Sequence, residues 1–281
     1  MSSPLSDLGR ARDESGEVVA VETLDGGMVE ITARLPRLAA TARPGEFAQL
    51  RAWGGVDPLL RRPFSVAWTA GELCSFVLEA VGAGTRLLVA LRPGDPLQAL
   101  GPLGNGFPLD PVPVRAVIVS GGLGCAPFPL LVRELRQGGC ADVIVLSGAA
   151  TASRLYPAER FRRGDDAVRV VETTDDGSRG RRGLVTELVA GVCDETAAVY
   201  ACGPNPMLAA LAQTLQRLAR PPRRADVSLE APMGCGFGTC LGCALPAAGG
   251  GWFLCCHQGP VREVSEVDWP GLLALPPAHV A

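Results

Sequence analysis

Residues 114–137 read VRAVIVSGGLGCAPFPLLVRELRQ. A short, mostly apolar run (114–120) enters a glycine turn and leaves it as a helical stretch (127–137). The run has the length and punctuation of a buried strand. A strand, a Gly-rich turn and a helix start form an anion site, because free N–H groups and the helix dipole point at a phosphate. Pro127 suits the first helical turn, where its missing N–H costs nothing. The turn is not G-x-G-x-x-G and no acidic residue ends the next strand, so a plain tight turn is the competing reading.

Toward the C-terminus the same texture repeats. Residues 143–147, 168–172 and 197–201 are further apolar strand candidates, with helical patterns between them. Met207, Leu208, Leu211, Leu215 and Leu218 mark one buried helix face. Strands alternating with helices predict a parallel sheet covered on both faces. Cys202-Gly203-Pro204-Asn205-Pro206-Met207 lies between a strand and that last helix. Ligands sit at the carboxyl ends of such strands, so 121–127 and 202–207 are expected to face one crevice. A structural thiol is the alternative for Cys202.

Toward the N-terminus the first 110 residues read as β. In residues 28–35, Val29, Ile31, Ala33 and Leu35 alternate with Glu30, Thr32 and Arg34, the period of a half-buried strand. Residues 17–24, 46–53, 64–68 and 73–81 are further strand candidates, separated by Gly, Pro and Asp. Short strands at this spacing predict a small antiparallel barrel. Arg61-Arg62-Pro63-Phe64-Ser65 opens one strand, and Gly82-Ala83-Gly84-Thr85 follows a later one into a helix-like run at 86–92. An Arg beside a hydroxyl, with a Gly-Thr helix start, suits a pyrophosphate. A surface Arg and an ordinary turn compete on composition alone.

The 281 residues are 47% hydrophobic and carry 26 basic against 29 acidic side chains, for a net charge of -3. About two domains are expected, and a nucleic-acid partner is not, since its surface would be strongly basic. Every basic residue is Arg. Schiff-base chemistry and a lysine P-loop are therefore excluded. With only His257 and His279, a three-His metal site is excluded too. The uncharged stretches 116–132 and 231–261 are broken by Gly and Pro, so neither reads as a membrane span. The polar N-terminus lacks a signal-peptide core, and a cytoplasmic protein is expected. Ten Cys there argue for thiols or metal ligands rather than disulfides.

Half of those cysteines lie between 235 and 256. Cys235, Cys240 and Cys243, followed by Cys255-Cys256, have the C-x4-C-x2-C…C spacing of a plant-type [2Fe–2S] cluster. Gly234, Gly236, Gly238 and Gly242 let the chain wrap tightly and turn N–H groups toward the sulfurs. A zinc site would use the same residue type, but structural zinc usually takes paired C-x2-4-C knuckles. Spacing alone leaves Cys255 and Cys256 both open as the fourth ligand.

The order RRPFS, GAGT, GPLGNGF, GGLGCAP, TTDDGS, CGPNPM and C-x4-C-x2-C…CHQGPV runs through nearly the whole chain. It resembles the electron-transfer subunits of the class 1B dihydroorotate dehydrogenases, within the ferredoxin-reductase superfamily. The resemblance implies an FAD-binding β-barrel (1–110), an NAD-binding α/β domain (111–225) and a [2Fe–2S] lobe (226–281). It implies that Arg62, Pro63, Phe64 and Ser65 hold FAD, with Arg62 on the pyrophosphate and Ser65 near the reactive edge of the isoalloxazine. Gly84 and Thr85 would bind the pyrophosphate, and Val77, Leu78 and Glu79 would line the flavin. Relatives often carry a basic residue near Glu79, so only a backbone contact is expected there. Gly122, Gly124, Cys202 and Gly203 would face the nicotinamide nucleotide. The family spacing to Gly-Pro-Val selects Cys256 over Cys255.

The implied path runs from dihydroorotate through the FMN of a separate catalytic subunit, then [2Fe–2S], then FAD, to NAD+. FAD stands between because it exchanges both single electrons and hydride. No catalytic acid or base is expected on this chain, and a heterotetramer of two copies of each chain is. Two other readings compete: a subunit of a sulfhydrogenase or ferredoxin–NAD(P) transhydrogenase, and a non-catalytic zinc-stabilised nucleotide-binding module. Arg154, after the strand at 143–147, is placed either to meet a 2′-phosphate or to lie solvated in its loop, and the solvated reading is preferred.

Overall fold

The computed structural model describes residues 10–276. Its first part contains β1 (Arg12–Thr23), β2 (Met28–Arg34), α1 (Pro36–Thr41), β3 (Phe47–Arg51), β4 (Arg62–Ser65), β5 (Trp68–Ala70), β6 (Leu73–Glu79), α2 (Ala83–Val89) and β7 (Pro96–Leu103). The strands form one antiparallel sheet in the order β4-β3-β7-β1-β2-β6-β5. β4 and β5 stand at opposite edges, yet only Val66 and Ala67 separate them. So short a link spans about 10 Å at most, so the sheet curls until its edges meet. Val66 N–H donates to Glu46 O (3.1 Å) and Ala67 N–H to Ser75 O (2.9 Å), linking the two edges. Val18, Ile31, Leu35, Leu50, Phe76 and Leu97 fill the interior.

Two local expectations change. The run 64–68 is not one strand, because the chain crosses from edge to edge within it. β7 escapes a sequence reading: Pro96, Gly101 and Pro102 give it the composition of a turn, although it pairs with both β1 and β3.

The second part contains β8 (Arg115–Gly121), α3 (Phe128–Gln137), β9 (Asp142–Ala149), α4 (Ala158–Arg162), β10 (Arg169–Thr174), β11 (Arg181–Arg182), β12 (Ala197–Cys202), α5 (Asn205–Gln216) and β13 (Arg224–Ser228). The C-terminal part adds β14 (Ala244–Pro246), β15 (Trp252–Leu254), α6 (Cys255–Gln258), β16 (Val261–Glu263) and α7 (Trp269–Leu273). The second sheet runs β11-β10-β9-β8-β12-β13-β16. Its pairings are parallel up to β13, and β16 closes it antiparallel. The strand order reverses between β8 and β12, so the ligand crevice of such a sheet lies at their carboxyl ends. A boundary at 225/226 falls inside β13, and β16 returns the C-terminal segment to the same sheet. Among the described residues, no helix is long and apolar enough to cross a membrane.

The polar side of β2 is solvated at Arg34 but not at Glu30, which the second part covers. Glu30, 3% exposed, accepts from Arg160 Nη1 and Arg163 Nη2, each at 2.7 Å. Arg160 also pairs with Glu22. Arg133 and Arg163 lie over the Trp68 ring at 4.6 and 4.9 Å. Planar guanidiniums both fork onto carboxylates and stack on aromatic faces, which an ammonium cannot do. Glu30→Ala leaves Arg163 without an anionic partner among the described residues and Arg160 with Glu22 alone, and is expected to lower stability by about 3 kcal/mol. Chemical denaturation followed by tryptophan fluorescence checks this, and a loss under about 1 kcal/mol would class the pair with surface bridges.

Candidate functional site

The crevice between β8 and β12 is built by close backbone approach. A Cβ on Gly124 would stand 2.3 Å from Cys202 O and 2.5 Å from Gly203 N. Gly122 has φ +53°, in the left-handed region that glycine enters freely. The structure therefore brings Gly124 against Cys202 and Gly203 at the carboxyl ends of β8 and β12, with Gly122 in the same turn and open around its Cα. Met207, from the first turn of α5, packs beneath: Cβ atoms at Gly121 and Gly203 would lie 2.4 and 2.6 Å from its side chain. Burial pushes the Cys202 thiol up to about 12, so it is neutral at physiological pH.

On the barrel, Arg61 and Arg62 divide. Arg61 forks onto Asp13 at 2.9 and 2.7 Å. Arg62 has no carboxylate partner among the described residues; it reaches Leu60 O and lies 5.9 Å from the Trp53 ring centroid. Its guanidinium rests against α2, where a Cβ on Gly84 would meet Nε at 2.8 Å. An unneutralised Arg beside a helix start suits a pyrophosphate. Thr85 Oγ1 is used within the turn, accepting from Gly82 N–H (2.8 Å) and donating to Gly82 O (3.0 Å). That leaves backbone N–H rather than the hydroxyl for an anion. Ser65 and Phe64, both partly buried, pair with Phe47 and Ala48 of β3, and Pro63 with Gln49. The Val77 and Leu78 side chains are buried in the protein's own core, so only their backbone is open to a flavin.

Glu79 and Arg154 occupy each other. Arg154 Nη2 donates to both Glu79 oxygens at 3.0 Å, and Nη1 to Gly26 O at 2.6 Å. Arg154 keeps 46% of its side chain exposed, as the solvated reading expects, but it is not unpartnered in its loop. It crosses to the barrel because β6 presents a carboxylate within reach.

The cysteine loop arranges its sulfurs in two pairs, Cys243 with Cys256 and Cys235 with Cys240, whose side chains hydrogen-bond to each other. Cys243 Sγ and Cys256 Sγ share a hydrogen bond at 3.2 Å. Cys235 Sγ accepts from the N–H groups of Phe237 and Cys240, each at 3.5 Å. Gly238 N–H donates to Cys256 Sγ (3.1 Å) and Cys256 N–H to Cys243 Sγ (3.4 Å). Burial pushes the Cys235 thiol up, but those N–H donors outweigh it and hold it at about 7. The Cys256 thiol, together with nearby N–H groups, lowers Cys243 to about 6, and sharing with Cys243 raises Cys256. Among the described residues, no three His, Cys, Asp or Glu groups cage a single ion. Thiolates in two pairs with N–H···S donors fit a cluster in which each of two irons takes two thiolates.

Cys255 faces elsewhere: its Sγ donates to Leu229 O at 3.6 Å, it is 0% exposed, and burial pushes its thiol well up. Asn105, in the GPLGNGF turn, fixes this end of the loop. Its N–H donates to Gly259 O (2.7 Å), its Nδ2 to Val261 O (3.0 Å), and its Oδ1 accepts from Val261 N–H (3.1 Å). The motif was visible in the sequence; that it docks a segment more than 150 residues away was not. His279 lies outside the described residues.

Comparison with known proteins decides the family. The iron–sulfur cluster binding domain of dihydroorotate dehydrogenase B matches residues 230–268, and an oxidoreductase NAD-binding domain matches 118–213. The dihydroorotate dehydrogenase B (NAD(+)) electron transfer subunit of Bacillus caldolyticus is 38% identical over 231 residues, 80% of this chain and 86% of that protein. The chain belongs to this family. The electron transfer subunit homolog of Aquifex aeolicus is 31% identical over 90% of this chain and 97% of its own length.

The fold extends beyond the dihydroorotate dehydrogenase B subunits. A solved NADH-dependent reduced ferredoxin-NADP oxidoreductase superposes with a TM-score of 0.78 at 26% identity, covering 92% of this chain and 91% of that one. A ferredoxin NADP+ reductase from Neisseria gonorrhoeae with bound FAD and NADP gives 0.63 at 20% identity, covering 74% and 92%. The latter supports the fold alone. Cys256→Ser is expected to prevent retention of iron and its visible absorption, whereas Cys255→Ser keeps both. Iron analysis of the two purified variants reads the difference.

Proposed function

We propose that this chain is the electron-transfer subunit of a dihydroorotate dehydrogenase, accepting electrons from the FMN of a separate catalytic chain and passing them to NAD+ through its own [2Fe–2S] cluster and FAD. The observation that carries the reading is the pair of sulfur pairs, held by backbone N–H groups, on a loop packed against the barrel strand beside β4. When bound, FAD exchanges hydride with nicotinamide and single electrons with an iron–sulfur cluster, so it joins two-electron to one-electron chemistry.

The chain's own residues supply placement. Arg62 neutralises the FAD pyrophosphate, and the backbone N–H groups at Gly84 and Thr85 complete the contact. Pro63, Phe64 and Ser65 set the flavin against β4, and the backbone of Val77, Leu78 and Glu79 lines it. Gly122, Gly124, Cys202 and Gly203 let the nicotinamide nucleotide approach the backbone. Cys235 and Cys240 hold one iron, and Cys243 and Cys256 the other. Residues 1–110, 111–225 and 226–281 divide these roles, with the sheet crossing the last boundary. The working assembly is a cytoplasmic heterotetramer of two copies of each chain.

Purified alone, the chain is expected to contain FAD and about two irons, and to reduce artificial acceptors with NADH without oxidising dihydroorotate. Adding the FMN-containing partner should yield dihydroorotate-dependent NADH formation. Dihydroorotate oxidation by the chain alone would sink this division of labour. Recovery of a hydrogenase or glutamate-synthase-like subunit on co-purification would favour the alternative partners.

Arg154 also bears on nucleotide choice. Bound to Glu79 and Gly26 O, it is not free to meet a 2′-phosphate. The expected preference is for NADH over NADPH. Glu79→Gln weakens the hold on Arg154 and should raise kcat/KM for NADPH relative to NADH about fivefold, close to one exposed charge contact of about 1 kcal/mol. An unchanged ratio would remove Arg154 from cofactor selection.

A further inference from the structure

Gln49 is the polar residue at the junction between the barrel and the cysteine loop. It lies on β3, opposite Pro63 of β4 on one side and Leu100 of β7 on the other. It is 0% exposed, and neither Nε2 nor Oε1 has a hydrogen-bond partner. A carboxamide offers two donor hydrogens and two acceptor lone pairs, so all of its polar capacity is unspent in a sealed site. Its neighbour is the cluster loop: a Cβ on Gly236 would stand 2.8 Å from both Cγ and Nε2 of Gln49. Gly236 follows Cys235, whose sulfur is already the target of two backbone N–H groups.

A buried amide persists when something it meets in the working protein satisfies it. The backbone around it is committed to the β3–β4 and β3–β7 ladders. The neighbouring thiols fit a [2Fe–2S] cluster, whose sulfurs accept hydrogen bonds. Resting on the proposed function, we propose that the Gln49 carboxamide donates an N–H to a cluster sulfur on the Cys235 side and thereby raises the cluster's reduction potential. Hydrogen bonds to sulfur stabilise the reduced cluster, which carries one more negative charge. Gln49 would then be the barrel's polar contribution to a site otherwise supplied by the C-terminal loop.

The test is a redox titration of the loaded chain, with the cluster followed by electron paramagnetic resonance and the flavin by visible absorption. Gln49→Met keeps the unbranched shape without the amide; Gln49→His keeps an N–H donor. Gln49→Met is expected to shift the ratio of reduced to oxidised cluster about tenfold at fixed potential, a fall of about 59 mV for a one-electron couple. The flavin potential and FAD content should stay unchanged. Gln49→His should recover most of the shift. Without cofactors, Gln49→Met should unfold no more easily than wild type, because it removes an unpaired polar group.

An unchanged cluster potential in Gln49→Met overturns the proposal, as does a shift confined to the flavin. Equal shifts in the Met and His variants overturn it too, because a packing effect would not distinguish them. Should Gln49→Met fail to load, Gln49→His decides alone: a potential near wild type supports the donor role, and a full shift sinks it. Iron analysis of wild type comes first. A wild-type chain without a cluster overturns the functional reading, which is separate from any difference among the variants.

Discussion

Asn105 ties the three parts of the molecule together. It sits in the link between β7, the last barrel strand, and β8, the first strand of the parallel sheet. Its main chain and both ends of its side chain bond the backbone at Gly259 and Val261. Those residues lead directly into β16, which pairs with β13. One side chain thus sets where the C-terminal segment leaves α6, and hence where Cys256 stands relative to the barrel. Gly104 allows the contact: a Cβ there would lie 2.6 Å from Pro260. Electron transfer over fixed distances needs such rigidity, and Asn105 provides it without a covalent link.

A second constraint acts between barrel and parallel sheet. Glu22, Glu30 and Glu79 face Arg154, Arg160 and Arg163 across that boundary. Arg rather than Lys suits this boundary. Arg163 bonds Glu30 while lying over Trp68, and Arg133 lies over the same ring while bonding Thr69. A point charge on a flexible stem cannot make both contacts at once. The crevice between β8 and β12 is therefore held at a set orientation to the barrel, as a flavin shared with a nicotinamide requires.

What the sequence disclosed was local. The run into Gly121-Gly122, the helix after it and the cysteine spacing each lie within a few tens of residues, and their periodicity or spacing carries their chemistry. What it concealed was long-range. β7 looks like a turn because its Gly and Pro are judged without β1 and β3 beside them. Glu30 looks like the wet side of a strand because its partners lie more than 100 residues on. Gln49 reads as one polar residue in a strand, and only the approach of Gly236 makes it unusual. Cys255 and Cys256 share composition and neighbourhood; the direction of each side chain separates them.

The ten cysteines show how one residue type serves two chemistries in a single chain. Cys74 and Cys202 are pushed up to about 12 and Cys193 to about 11, in each case chiefly by burial. Burial also raises Cys125, Cys140 and Cys255. At neutral pH these remain thiols, poor nucleophiles and poor metal ligands. Cys235 and Cys243 go the other way, to about 7 and about 6, although burial opposes both. For Cys235 the difference is the supply of backbone N–H donors from a loop whose glycines at 236 and 238 adopt φ +83° and +85°; for Cys243 the hydrogen bond from the Cys256 thiol comes first and N–H donors second. Hydrogen bonds from the backbone and from the neighbouring thiol, rather than nearby positive side chains, lower these two groups, and the same thiol contact raises Cys256. Cys235 and Cys243 are thus biased toward the form that binds a cationic iron centre, while the six cysteines outside the ligand set stay protonated.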